Sequence, residues 1–158
     1  MADVTFVDNS IKVTNAIKNA AIEFLEEAAA ELESQTKRNT RVDTGQLKGA
    51  WSHKVYESKL EAVVGNPLEN AIWEELGTGE YALEGNGRKG AWYVPVEKVV
   101  GKKRPSYNGK VIIVHGANGK KYYKTNGKRG TRAFHNAKVT CEPKIINAIK
   151  KKFGGMST

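Results

Sequence analysis

Residues 10–37 read SIKVTNAIKNAAIEFLEEAAAELESQTK. Within them Ile11, Thr14, Ile17, Ala21, Phe24, Leu25, Ala28 and Leu32 recur every three or four positions, which sets one stripe of side chains along one face of an α-helix. Ala28, Ala29 and Ala30 have the strongest helix propensity of any residue type, and Glu23, Glu26, Glu27, Glu31 and Glu33 suit a solvated outer face. The spacing predicts a helix from Asn9 or Ser10 to about Lys37, roughly 40 Å long at 1.5 Å per residue. So long a helix in a chain of 158 residues can serve neighbours as well as its own core.

Working outward, Val42-Asp43-Thr44-Gly45-Gln46-Leu47-Lys48-Gly49-Ala50-Trp51 reads as a turn and a short helical segment. Lys54–Glu57 and Leu60–Val64 then form a hairpin, since Leu60, Ala62 and Val64 alternate at period two. Asn66 as N-cap, Pro67 at the first helical position and Gly77 past the end predict a short helix carrying Ala71, Ile72, Glu75 and Leu76. Ala91–Val96 reads as a strand, with Pro95 at an edge or an end. Between Val99 and Arg129 lie the strand-like runs Lys110–His115 and Lys120–Thr125, and Asn118-Gly119 turns a hairpin between them. The tail from Thr131 to Phe153 is helical, with Ile145, Ile146, Ala148, Ile149 and Phe153 as its inner stripe. The predicted class is α+β: a long N-terminal and a C-terminal helix packed on a small, mostly antiparallel sheet. One domain is expected over 1–158, with a basic β-hairpin elaboration at about 99–129.

Apolar residues make up 39%, which is inside the range of globular chains and unlike disordered ones. One cysteine, Cys141, excludes an internal disulfide and a thiolate zinc cluster, and a reducing cytoplasm suits it. The longest apolar run, Val111–Val114, is far short of the roughly 20 residues that span a bilayer, so no membrane partner is expected. The N-terminus has no basic n-region and carries acids where a secretory signal would be apolar. The net charge of +9 conceals two halves of opposite sign: −7 over residues 1–87 and +16 over 88–158. Kept on separate faces, such halves would attract copies acid face to basic face. Solvated lysines serving solubility are the plainer reading of the same numbers.

No motif carries chemistry. Asp43-Thr44-Gly45 matches the tripeptide of dimeric aspartic proteases, where two carboxylates share a proton. That tripeptide ends a buried apolar strand, whereas Lys37-Arg38-Asn39-Thr40-Arg41 precedes it here, so a capping turn is expected. Gly85-Asn86-Gly87-Arg88-Lys89-Gly90 fits the spacing of a pyrophosphate-binding loop, but the following Ala91-Trp92-Tyr93-Val94-Pro95 starts no helix. His53, His115 and His135 have no ligand spacing, and no histidine lies near Cys141 to activate it. No metal, cofactor or catalytic residue is expected. Lys102, Lys103, Arg104, Lys120, Lys121, Lys124, Lys128 and Arg129, interleaved with tyrosines, are candidate contacts to DNA or an acidic partner.

The order of segments resembles the tail-component proteins of long-tailed bacteriophages typified by lambdoid gene product ten. It begins with the long helix, Asp43-Thr44-Gly45-Gln46-Leu47 and Val64-Gly65-Asn66. It continues with Ala71-Ile72-Trp73-Glu74-Glu75-Leu76-Gly77-Thr78-Gly79, Gly87-Arg88-Lys89-Gly90-Ala91-Trp92 and Gly130-Thr131-Arg132-Ala133-Phe134 with Ala137. Many relatives have Arg-Pro-Phe where this chain has Arg132-Ala133-Phe134, and Val99–Lys128 looks like an elaboration. The resemblance implies a structural virion protein of the neck or tail, without catalysis. It would be a ring-forming tail-completion or head-tail connector subunit, whose partners are its own copies, the neighbouring head-connector and tail proteins, and DNA in passing. It would sit in the host cytoplasm before assembly. Trp73, Glu74, Glu75 and Trp92 are the candidate subunit interface, aromatic residues being enriched there. The alternatives are a free nucleic-acid-binding module and, remotely, the dimeric protease.

Overall fold

The computed structural model describes residues 7–98 and 112–154. The fold is α+β. Its elements are α1 (Ser10–Asn39), α2 (Gln46–Gly49), β1 (Ser52–Tyr56), β2 (Glu61–Gly65), α3 (Asn70–Leu76), β3 (Thr78–Gly79), β4 (Trp92–Pro95), β5 (Ile112–His115), β6 (Lys121–Thr125), β7 (Gly127–Lys128) and α4 (Ala133–Phe153). They group into two compact units: one of residues 1–68 and 133–158, the other of residues 69–132.

In the first unit α1 and α4 run antiparallel. The Asn39 amide donates to the Ala133 carbonyl at one end (3.2 Å), and Phe24 meets Phe153 edge-on at the other (6.3 Å between centroids). The buried residues of the pair are Phe24, Ala29 and Thr36 on α1 and Ala133, Ala137 and Cys141 on α4. Small side chains on both helices permit close approach of the two backbones. Thr36 is tolerated in the interior because its hydroxyl donates to the Leu32 carbonyl (2.7 Å). The α4 stripe therefore differs from the expected one: Ile146, Ala148 and Ile149 are exposed, and only Ile145 and Phe153 of that set are partly covered. A cluster of isoleucines suggested the inner face, yet the close helix contact takes the small residues one turn apart.

The β1–β2 hairpin pairs Ser52↔Gly65 through Tyr56↔Glu61 and lays His53, Val55, Ala62 and Val64 toward its covered side, packing on α1. Trp51, buried just before β1, stacks on Phe134 (5.7 Å, 7°) and so ties the hairpin to the start of α4. Asn66 does not cap a helix at Pro67. Its side chain accepts the Leu68 N–H (3.0 Å) and donates to the Leu47 carbonyl (2.9 Å), and α3 begins only at Asn70. An Asx turn uses the same acceptor as an N-cap, which is why the two look alike in sequence.

α4 ends against Phe24, while α1 continues toward its N-terminus. From Ser10 to Asn19, about 15 Å of helix, every residue is exposed. The apolar stripe that is covered from Phe24 onward thus runs on into an arm bearing exposed Ile11, Val13 and Ile17.

The second unit has a three-stranded antiparallel sheet, β4-β6-β5, and a separate β3–β7 ladder. The expected small sheet is thus three short ladders, β1–β2 included. β4 is an edge strand, so Pro95 leaves no central ladder bond unmade. The β5–β6 hairpin closes through Ala117-Asn118-Gly119, with Gly119 left-handed (φ 73°) and the Gly116 N–H donating to the Lys120 carbonyl (2.9 Å).

Candidate assembly surface

The interface candidates all lie in the second unit, where Glu74-Glu75-Leu76-Gly77-Thr78-Gly79 forms a clasp with Asn126–Thr131. α3 ends at Gly77, whose φ of 82° is open to glycine and whose N–H donates to the Trp73 carbonyl (2.9 Å). A Cβ there would lie 2.7 Å from both the Gly130 nitrogen and the Lys128 carbonyl oxygen. Thr78 and Gly79 pair with Lys128 and Gly127, and the Lys128 N–H donates to the Thr78 hydroxyl (3.1 Å). The Glu74 carbonyl accepts the Thr131 N–H (2.6 Å) and hydroxyl (3.0 Å), while its carboxylate holds the Lys128 ammonium. The Glu80 carboxylate accepts from the Gly90 N–H (3.0 Å) and the Asn126 amide (3.1 Å). The glycines are where two backbones touch, so this motif is first a structural joint.

Of the four candidate interface residues, Trp73 is 56% exposed, beside Ile72 at 57%. Glu74 is occupied by Lys128 and Thr131, and Glu75 is half-buried. Trp92 is also half-buried: its ring lies against Gly79, and the Arg88 guanidinium sits 5.6 Å from its centroid.

The described basic candidates differ in their surroundings. Lys128 faces Glu74, and Arg129 sits over the Tyr81 ring (5.3 Å). Lys120, Lys121 and Lys124 are exposed on the β5–β6 hairpin, with Lys120 3.7 Å from Glu97. Lys124 stands between Tyr93 and Ile112 in one cross-strand row, and Lys121 pairs with His115. Lys102, Lys103 and Arg104 lie outside the described residues. Within the first unit the acidic and basic halves of the sequence are not kept on separate faces. α4 from the basic half packs on acidic α1, with Lys144 near Glu31 (3.6 Å) and Lys152 near Glu23 (3.4 Å). What stays segregated is a stretch within the second unit: residues 69–87 carry five glutamates and no cation.

Asp43-Thr44-Gly45 forms an exposed turn. The Thr44 hydroxyl accepts the Gln46 N–H (3.3 Å) and Gly45 is left-handed (φ 85°) at the start of α2, which leaves no strand to carry a carboxylate dyad. Gly85–Gly90 is loop leading into β4, with no helix N-terminus for a phosphate. Burial pushes the Cys141 thiol up, away from a nucleophilic thiolate. Among the described residues no three His, Cys, Asp or Glu side chains could hold a metal ion, and no helix is long and apolar enough to cross a membrane.

One cluster was not legible in the sequence. His53 on β1 donates from Nδ1 to Glu33 (2.5 Å) and from Nε2 to Glu26 (3.2 Å), both on α1, while Lys37 holds the other Glu33 oxygen (2.5 Å). Two carboxylates facing both ring nitrogens fit the imidazolium form. The Glu33 hydrogen bond, with that of Glu26, raises the His53 pKa against the opposing effect of burial. The Lys37 and His53 hydrogen bonds lower that of Glu33. These partners are 20 and 27 residues from His53, a separation that no local pattern reveals.

Residues 6–82 match the family model described as "Bacteriophage HK97-gp10, putative tail-component". No curated protein and no solved structure matches the chain. The matched residues take in α1, the Asp43-Thr44-Gly45 turn, the β1–β2 hairpin and α3 through Gly79, while the likenesses read at 87–137 lie beyond them. Over residues 6–82, just under half of its length, the chain is similar to the HK97 gp10-like family of putative bacteriophage tail components, in line with the resemblance read in its sequence.

Proposed function

We propose that the protein is an architectural subunit of the phage neck, forming a ring that joins the head connector to the tail tube as a tail-completion or head-tail connector protein. The observation that carries this reading is where the unused surface lies. Apolar side chains that a self-sufficient domain would cover stand exposed on the α1 arm and beside the Gly-Thr-Gly joint, within the residues shared with the tail-component family. Among the described residues no three His, Cys, Asp or Glu side chains could hold a metal ion, and the Asp43 and Gly85–Gly90 motifs serve as turns. A ring subunit needs contacts to neighbours in its own ring and to the rings stacked on it, and such contacts are surfaces rather than pockets. Its other partners are the adjoining connector and tail proteins. The exposed Lys120, Lys121 and Lys124 serve an acidic protein surface or passing DNA.

Deletion of the gene from the phage tests this. The expected outcome is DNA-filled heads and separate, complete tails that join when purified protein is added. Normal infectious particles without the protein would refute it.

A further inference from the structure

We infer that the α1 arm is one half of a contact between copies of this chain, docking on the α3 surface around Ile72 and Trp73 of the neighbouring copy. The inference rests on the ring reading and names the surfaces that would build the ring.

Ile11, Thr14 and Ile17, at intervals of three, share one face of the arm, and Lys18 lies within that face. Ile11 is 77% exposed and Ile17 42%. This face continues the stripe that α4 covers farther along α1, so it has the composition of a core without the cover. The charges of the arm from Ser10 to Asn19 are Lys12 and Lys18 alone, with no acid in that stretch and no carboxylate paired with either lysine among the described residues.

An occupant must therefore be apolar and acidic. The exposed face of α4, with Ile146 and Ile149, is rimmed by Lys150 and Lys151 and would repel the arm. The α3 surface has the opposite character. Ile72 and Trp73 project to solvent, and exposed Glu69 stands one turn before them on the same side of the helix. The whole stretch 69–87 contributes five glutamates, of which Glu74 is neutralised by Lys128. Apolar faces of opposite charge meet as an amphipathic helix meets its groove.

The two surfaces are different patches of one chain, so the contact is heterologous. Contacts of this kind repeat from copy to copy and close into a ring when the rotation allows. A 15 Å arm buries less than the roughly 1,200 Å² of a standard interface, so one such contact alone is weak. Closure, in which every copy both gives and receives an arm, supplies the remainder. Copies then stay apart when dilute and assemble where a template gathers them.

Mixing two singly substituted full-length proteins tests the docking. One carries Thr14→Cys and the other Asn70→Cys, both exposed positions, while the native Cys141 is buried. A short bis-maleimide should link position 14 of one copy to position 70 of the other only in the mixture, a product that cannot be intramolecular. Adding Ile17→Asp should cut its yield at least about tenfold, since the apolar face is central to the contact. Adding Lys18→Glu should lower it about fivefold, and Glu69→Lys on the other copy should restore it, by charge complementarity. Circular dichroism confirms that each variant is folded. Rings seen by electron microscopy without the 14–70 product would overturn the docking and leave the ring reading standing. The product in particles that never close beyond a dimer would support the docking and remove the ring reading.

Discussion

The clearest electrostatic device in the molecule is the histidine held between two glutamates. His53 joins β1 to α1 through Glu33 and Glu26, and its pKa is raised by those hydrogen bonds. A group whose folded pKa lies above its unfolded value adds stability that is fully present below the unfolded value, about 6.5. That contribution is lost as pH climbs through the higher folded value. Glu33, lowered by Lys37 and His53, acts in the other sense: its contribution holds above its unfolded pKa and fades as acid reaches the lower folded value. The two together favour a mildly acidic optimum. Urea denaturation at intervals from pH 5 to pH 9 should show wild-type stability declining on the alkaline side, and His53→Gln should flatten that limb. An unchanged slope in the variant would exclude the bridge as its source. Nothing near His53 in sequence announces the bridge, because its partners lie on an earlier helix.

Elements were legible where one face repeats locally. The stripe from Ile11 to Leu32 places α1 within two residues of its observed ends, and Asn118-Gly119 marks the β5–β6 turn. Legibility failed where a local signal had two physical uses or where packing chose between faces. Asn66 caps a turn rather than a helix, and α4 packs by Ala133, Ala137 and Cys141 rather than by its isoleucines. The division of the strands into three ladders depends on pairings distant in sequence. At the Gly77 joint, Gly77→Ala would force a Cβ against two backbone groups at positive φ, costing about 2 kcal/mol or more. Thermal denaturation should show that loss, and an undiminished midpoint would mean that the clasp is looser than described. The arm offers the opposite test. Helical amides from Lys12 to Asn19, with no covering element among the described residues, should exchange far faster than those from Phe24 to Thr36 in the isolated protein. Equal protection along α1 would show the arm to be already covered.

The whole molecule joins a well-packed pair of helices to surfaces left unfilled. Its charge illustrates the limit of sequence bookkeeping: the halves read −7 and +16, yet folding interleaves α4 with α1 and pairs Lys144 and Lys152 with acids of α1. Segregation survives on the shorter scale of residues 69–87, beside Ile72 and Trp73. Trp73 could be chosen from sequence as an interface candidate because aromatic residues favour contacts. The arm could not, because the same spacing that predicts a core stripe says nothing about where its cover stops. The proposed role is thus one of surfaces shared between copies, with Trp73 and the α1 arm among the apolar parts that stand exposed in the single chain. Cryo-electron microscopy of intact particles measures this directly. The expected result is a closed ring of this chain between the head connector and the tail tube, with Ile11, Ile17 and Trp73 covered at subunit contacts. A neck fully accounted for by other proteins, or single copies with those side chains in solvent, would contradict it.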